Sequence, residues 1–593
     1  MERARYRAAE RIEAYLGDPA DPATVFSYAN CAALDEREEY PAEICRRLDD
    51  WGLADYYVPA EYGGRLDDYE QLLQLMRAVA RRDLTVAIGH GKTYLGGVCV
   101  WVAGDRPQAE RLAARVRAGA QVSLGLTERA HGSDLLAGQT AAEHDPVLGN
   151  YRITGEKWLI NNATRGALLT LLARTAPGGG PRGFSVLLVD KRQLAPGGYQ
   201  HLDKVRTLGI RGADISGITF RGAEVPDAAL IGLPGTGLET VLKALQLTRT
   251  LCAALSLGAA DHTLGLAVDF ARGRRLYGRA LIELPLTRTE LSASAADLLI
   301  AECVGITASR AVHTLTGELS VVSAVAKYLL PTETDALIAR LSRLLGARAY
   351  LKEVHARGMF QKVDRDHRIV GLFDGNTAVN LSSLINQFRG LARAHARGAG
   401  DRDGAAAAFR LDAPLPPFDP ARLSLAARDG SGVLASLPDS LELLRAAAVP
   451  AALLDSAERL AAQVDQAHAE LARPRMRSAV PYVPPQDFET ARKYALCFAA
   501  AACLGLWVHN HRTEAGRRGP AAPLWRDGVW LHAALDRLLE RLGEPGPDRG
   551  AAYEPLLSQL CAARDGGTLF SLLPLVLGTA GADRETTDGG SPC

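Results

Sequence analysis

Apolar residues early in the chain recur at helical spacing. Leu72, Leu73, Leu75, Met76, Val79 and Ala80 form one stripe, closed by Arg81-Arg82. Val58-Pro59 and Tyr62-Gly63-Gly64 interrupt as a turn, and residues 1–119 read as a helical domain. Over 120–228 the period shortens to apolar or alternating runs: Val122–Leu126, Tyr151–Ile153, Trp158–Ile160, Leu168–Leu172, Phe184–Val189 and Ile218–Phe220. Gly, Pro, Asn and Asp divide them, which predicts a middle β domain. Helical spacing returns with Leu238, Val241, Leu242 and Leu245, and 229–395 reads as a helical bundle. Residues 396–435 shift to Gly, Ala, Asp and Pro, including Pro414-Leu415-Pro416-Pro417, and read as a linker. In a last helical unit, 436–580, Leu460, Val464, Ala467 and Leu471 share a face, and 581–593 reads as a frayed tail.

Composition narrows the class. The 593 residues are 47% hydrophobic and 23% charged, with Lys plus Arg and Asp plus Glu both at 68. A balanced charge gives no general pull toward nucleic acid or an anionic membrane. Nine of the basic residues are lysine and 59 arginine, a skew expected of a GC-rich genome such as an actinobacterium's. Nine scattered cysteines form no C-x-x-C pair, so a reducing cytoplasm is expected. Met1 to Tyr6 lead into charged residues rather than a signal core. The longest apolar run, Tyr494–Val508, is 15 residues and reads as a buried helix rather than a membrane span.

Generic motifs add little. Gly235-Thr236-Gly237 lacks the strand and third glycine of a dinucleotide fingerprint. His509 and His511 are two apart on a helix with no zinc-spaced partner, so a surface role is expected and no metal site. His90 reads as packing or a helix-end hydrogen bond.

Five further segments, in order, resemble the acyl-CoA dehydrogenase family. Leu124-Gly125-Leu126-Thr127-Glu128 with Gly132-Ser133-Asp134 is similar to that family's T-E-P-x-x-G-S-D flavin segment. Gly155-Glu156-Lys157-Trp158-Leu159-Ile160-Asn161-Asn162 is similar to its G-x-K-x-W-I-T-N strand. Leu208 to Asp214 and Val225-Pro226 follow in place, and Arg274-Arg275-Leu276-Tyr277-Gly278 resembles R-x-x-F-G. Leu372-Phe373-Asp374-Gly375-Asn376-Thr377 resembles the stretch carrying the catalytic acid. The resemblance spans about residues 50–395. It implies an α+β fold: N-terminal helices, a middle β-barrel or sandwich, a four-helix bundle, and here an extra all-α C-terminal domain.

The resemblance also implies chemistry. In that family a carboxylate removes the α-proton of an acyl thioester while the β-hydrogen leaves as hydride to FAD. Asp374 falls at the base, and Arg249, on an earlier helix, at a further catalytic position. The alternative acid position on an earlier helix is Thr248, which cannot serve. Leu124, Leu126, Thr127, Ser133, Leu159, Ile160, Asn161, Arg274, Tyr277, Gly346, Asn376 and Thr377 fall at flavin-binding positions, and Ser133, Gln246, Arg249 and Gly375 near substrate. Thr127 and Ser133 also suit ordinary strand-end turns, and Arg274 a solvated charge in the run Arg272–Arg275. Several positions depart from the family: Asp374 for Glu, Asn161 for Thr, Leu159 for Trp, Leu284-Pro285 for His-Gln, Gly346-Ala347 for Gly-Gly. The implied partners are an acyl-CoA or acyl-carrier-protein thioester and an electron acceptor, electron-transfer flavoprotein or O₂, with a homodimer as the assembly. An O₂-using oxidase and a non-catalytic scaffold of the same fold stand as alternatives.

Overall fold

The computed structural model describes residues 2–473, 483–513, 521–526, 528–546 and 552–577; the expected tail, 581–593, lies outside them. The stripe read from Leu72 to Ala80 lies on the Tyr69–Arg82 helix, started by Asp68, whose carboxylate accepts from the Glu70 and Gln71 N–H groups. Asp83 then leaves helical geometry and caps the Leu84–Ala103 helix through the Val86 N–H. This second helix is apolar nearly all round and buried along most of its length, with Lys92 its one Lys, Arg, Asp or Glu.

The middle domain is an eight-stranded sheet. Its strands are β1 (Val122–Gly125), β2 (Ala141–Asp145), β3 (Asn150–Asn161), β4 (Leu168–Arg174), β5 (Phe184–Asp190), β6 (Tyr199–Leu202), β7 (Ile215–Pro226) and β8 (Leu230–Ile231). They run β6-β7-β3-β2-β4-β5-β8, with β1 added parallel to β4. Alternation decides the packing. Leu169, Leu171 and Ala173 of β4 enter the sheet's own core, whereas Leu168 and Leu172 join the helical core. Gly96 lets the Leu84–Ala103 helix approach β1, because a Cβ there would lie 2.4 Å from the Val122 carbonyl oxygen. Tyr151–Ile153 and Trp158–Ile160, expected as separate runs, are one long strand with bulges.

The bundle comprises the helices Gly237–Leu251, Ala253–Gly273, Pro285–Thr314 and Leu319–Leu345. The C-terminal helices Ala451–Ala472, Pro485–Asn510 and Val529–Leu542 share one hydrophobic core with it. Charge crosses the joint. Asp297 is gripped by Arg340, Arg537 and Arg541 (Nη1, Nε and Nη2 at 2.6, 2.9 and 2.6 Å), and these cations hold its carboxyl well below the usual range despite burial. Glu302 meets Arg77 at 2.5 Å and accepts the Leu572 N–H at 2.7 Å. N-terminal helix, bundle and C-terminal segment therefore meet at one buried carboxylate.

The stretch expected as a linker is a packed strap. It contains the Arg402–Phe409 helix, and Phe409, Leu411 and Val433 are buried. Its carbonyl groups find donors on another element: buried Arg310 donates to Ala408 O at 2.6 Å and Ala407 O at 3.2 Å, while also pairing with Glu70 at 2.7 Å. His509 and His511, expected at the surface, are half-buried and stack on Phe409 and Trp507. Membrane length also needs correcting. Gly237–Gly273, Pro285–Thr314 and Pro485–Asn510, the last containing the Tyr494–Val508 run, are long and apolar enough to cross a bilayer. Nearly all of each apolar window is buried against protein.

Candidate active site

The loop 370–376 between the Met359–His367 and Thr377–Ile385 helices is held by side chains from the bundle. Lys327 donates to Val370 O at 2.6 Å and Gly375 O at 3.3 Å, and Asn380 donates to Gly375 O at 2.9 Å. Asn376 caps the following helix through the Val379 N–H. Arg249 Nε donates to the Asp374 carbonyl oxygen at 2.8 Å. Asp374 and Gly375 both take positive φ, 54° and 97°, so the chain turns sharply where the carboxylate is presented.

That carboxylate lines an open cavity otherwise walled mainly by apolar side chains. Ala87, Ile88, Gly91 and Leu95 supply one wall at helical spacing; Leu72 and Met76 supply another, and Leu251 and Leu255 a third. Two tyrosines in the lining have their hydroxyls engaged, Tyr57 with His90 Nδ1 at 2.7 Å and Tyr94 with Tyr69 at 2.9 Å. His90 Nε2 also hydrogen-bonds Asp49 at 3.0 Å, so this histidine, expected to pack or bond at a helix end, links Tyr57 to Asp49 from within its helix.

Around Asp374 stand three cations and a thiol. Lys92 Nζ lies 3.2 and 3.3 Å from its two carboxylate oxygens and 3.8 Å from the Phe373 ring centroid. The Cys252 thiol is 3.7 Å from Oδ2, and burial pushes its pKa up to about 12, so it stays a neutral donor. Burial lowers the pKa of Arg249, opposed by the Asp374 charge, and lowers that of Lys327. Among the described residues the Asp374 N–H donates to no protein acceptor, and so is available to a ligand oxygen.

The segment connecting β1 to β2 meets this loop at Ser133, whose Oγ is 3.5 Å from Asn376 Nδ2. The segment before it is organised by Glu128, which accepts from the Gln139 and Thr140 N–H groups and pairs with Lys157 at 2.8 Å. Lys157 also donates to Leu126 O, fixing the end of β1 beside Thr127. At Leu159 the β3–β7 register skips a residue; Leu159 has φ 56° and is 41% exposed. Nearby Asn161 Oδ1 is buried with no protein partner, while Ile160 is buried in the sheet core.

Other expected residues lie elsewhere. Gln246 is turned to the strap, donating to Ser424 O at 2.8 Å, so its side chain is engaged away from the Asp374 loop. Arg274 and Tyr277 are exposed beyond the Ala253–Gly273 helix, and Gly346 is exposed at the end of Leu319–Leu345. Thr377 begins its helix behind Asn376. Lys92, Cys252 and Lys327 were not singled out from the sequence. The available signal was a lone charge inside an apolar helix, at Lys92 and again at Lys327 within Val321–Leu330.

Comparison with known proteins agrees with this architecture. Family models for the acyl-CoA dehydrogenase N-terminal, middle and C-terminal domains match residues 27–120, 123–223 and 235–388. The probable acyl-CoA dehydrogenase FadE25 of Mycobacterium tuberculosis is 25% identical over 351 residues, 59% of this chain and 88% of that protein. Among solved structures, an acyl-CoA dehydrogenase complexed with FAD from Bacillus anthracis aligns at TM-score 0.65 and 17% identity over 94% of this chain and 91% of that one. The prolyl acyl carrier protein oxidase AnaB aligns at TM-score 0.58 and 18% identity over 65% of this chain and 99% of that one. With all three of its domain models matched in order across more than half the sequence, the chain belongs to the acyl-CoA dehydrogenase family.

Proposed function

We propose that this protein is an FAD-dependent dehydrogenase that desaturates an acyl thioester between its α and β carbons, with Asp374 as the base. The observation that carries the reading is one carboxylate facing an apolar cavity, on a loop that touches the β1–β2 connection at Ser133. The exposed Leu159 at the bulge and the unpartnered Asn161 Oδ1 suit a flat, edge-polar ring such as flavin. When bound, FAD would supply the hydride acceptor. Leu124, Leu126, Thr127, Leu159, Ile160 and Asn161 would hold it along β1 and β3, and Asn376 and Thr377 would approach it from the loop. Arg274, Tyr277 and Gly346, exposed in one chain, would serve phosphate and adenine contacts across a homodimer.

The chain's own groups then have distinct tasks. The cavity walls exclude water from the acyl chain. The Asp374 N–H, unpaired among the described residues, is a donor for the thioester carbonyl as negative charge develops there. Ser133 and Gly375 border the thioester, and Arg249 fixes the backbone from which Asp374 projects. Either CoA or a carrier protein could present the acyl group, since both end in the same pantetheine arm. The fold likeness to a carrier-protein oxidase keeps the carrier option and O₂ beside CoA and electron-transfer flavoprotein.

The test is anaerobic mixing of the purified yellow protein with acyl-CoA and acyl-carrier thioesters, reading flavin bleaching. Asp374→Asn should keep its flavin and bleach at least about 10²-fold more slowly. A colourless protein that rejects added FAD would support the scaffold instead.

A further inference from the structure

The carboxylate of Asp374 is oriented from the N-terminal domain. Its neighbours divide by what they touch. Arg249 donates to the main-chain carbonyl of Asp374, and Lys327 to those of Val370 and Gly375. Lys92 alone among these cations donates to the carboxylate, and to both oxygens. Its ammonium is itself seated on the Phe373 ring, and its stem lies in the cavity wall. The Cys252 thiol is the remaining donor, longer and weaker.

The residue type matters too. In a chain with 59 arginines and nine lysines, two of the nine meet at this loop. A lysine there places a compact charge at the end of a flexible stem, where a guanidinium would fill more of the cavity mouth. Asp is also one methylene shorter than Glu, so a base at this position has little freedom to find its own geometry.

We propose that Lys92 is a positioning residue for the base: its two-oxygen contact sets the plane of the Asp374 carboxylate. The proposal rests on Asp374 being the base. In the step it serves, the α-C–H bond breaks, the proton goes to a carboxylate oxygen of Asp374, and the electron pair stays on the acyl group as enolate. Asp374 becomes neutral as negative charge appears beside it, so Lys92 exchanges one counter-charge for another and is not left unpaired in a buried site.

The experiment isolates this step. Anaerobic holoenzyme is incubated with butyryl-CoA in D₂O, and exchange of the α-protons is followed by NMR for wild type, Lys92→Met, Lys92→Arg and Asp374→Asn. The charged or titratable groups facing the carboxylate are Lys92, Arg249, Lys327 and Cys252, and only the first is changed. Lys92→Met should retain flavin and exchange at least about tenfold more slowly. Lys92→Arg should recover part of the rate. Should Lys92→Met fail to fold, Lys92→Gln carries the same expectation. Wild-type exchange in a folded neutral variant, with Asp374→Asn inactive, would overturn the Lys92 role alone. Wild-type exchange in Asp374→Asn would remove the base assignment, and the Lys92 role with it.

Discussion

Arg249 grips the main chain of Asp374 and not its carboxylate, with Nε 2.8 Å from the carbonyl oxygen. The next residue makes that grip possible. A Cβ on Gly375 would lie 2.8 Å from Arg249 Nη2, and φ of 97° already disfavours any side chain. Backbone, guanidinium and glycine form one unit that aims the carboxylate into the cavity.

Gly375→Ala should therefore damage turnover more than folding. The left-handed strain is worth about 1–3 kcal/mol, a tolerable loss for a domain of this size. Displacing the carboxylate by about 1 Å can cost about 10²-fold in rate. Thermal unfolding and thioester-driven bleaching measured on the same preparation check the expected disproportion. Equal losses would remove the aiming role.

Arg274 is exposed and offers its charge outward from the end of a bundle helix. Losing a charge-assisted phosphate contact leaves the partner oxygen unpaired, about 1.5–3 kcal/mol of binding. Arg274→Ala should purify with little flavin and regain it only at high FAD. Unchanged flavin content would return Arg274 to a solvated surface charge.

Glu318 clasps the strap to the bundle, accepting the Gly432 N–H at 2.7 Å and the Asp401 N–H at 3.5 Å. Burial raises its pKa to about 7 from the ordinary 4.5, with Asp401 and Asp429 adding to the shift and the two N–H donors opposing it. Between those values the folded form keeps a proton that the unfolded form has lost. Stability from this group is thus complete below pH 4.5 and declines as pH rises to 7, by about 1–3 kcal/mol. Glu318→Gln should flatten that decline in urea titrations at pH 5 and pH 7.5. An identical pH dependence in the variant would mean the clasp carries no linked proton.

The C-terminal helices should not be separable. Truncation after His395 would strip Asp297 of Arg537 and Arg541 and expose apolar bundle surface. Aggregation or loss of flavin is expected in size-exclusion chromatography. Within the full chain, Asp297→Ala leaves three arginines around an empty position and should cost about 3–5 kcal/mol. A soluble, flavin-loaded, active truncate would show the extra domain to be an independent module.

Periodicity located most of what periodicity controls. The Leu72–Ala80 stripe, the Leu460–Leu471 face and the apolar runs of β1, β4 and β5 lie in the expected elements, since burial on one face imposes its repeat on the sequence. β2 and β6 were not legible, because Ala141–Asp145 and Tyr199–Leu202 are short and largely polar, and their pairing comes from neighbours. The strap failed for a related reason. Its composition describes a flexible segment, while donors for its carbonyl groups sit on Arg310, about a hundred residues earlier.

At the site, Asp374, Arg249, Ser133 and Asn161 were singled out by the family resemblance of the short runs that carry them. Lys92 and Lys327 belong to no such run. One is carried on an N-terminal helix, the other on a bundle helix, and each meets the 370–376 loop only once the domains pack. Sequence by itself determined the strongly periodic elements and the residue types each local segment offers. Tertiary structure alone decided which charges share a carboxylate, because electrostatic pairing depends on distances across 282 residues of chain that no local pattern encodes.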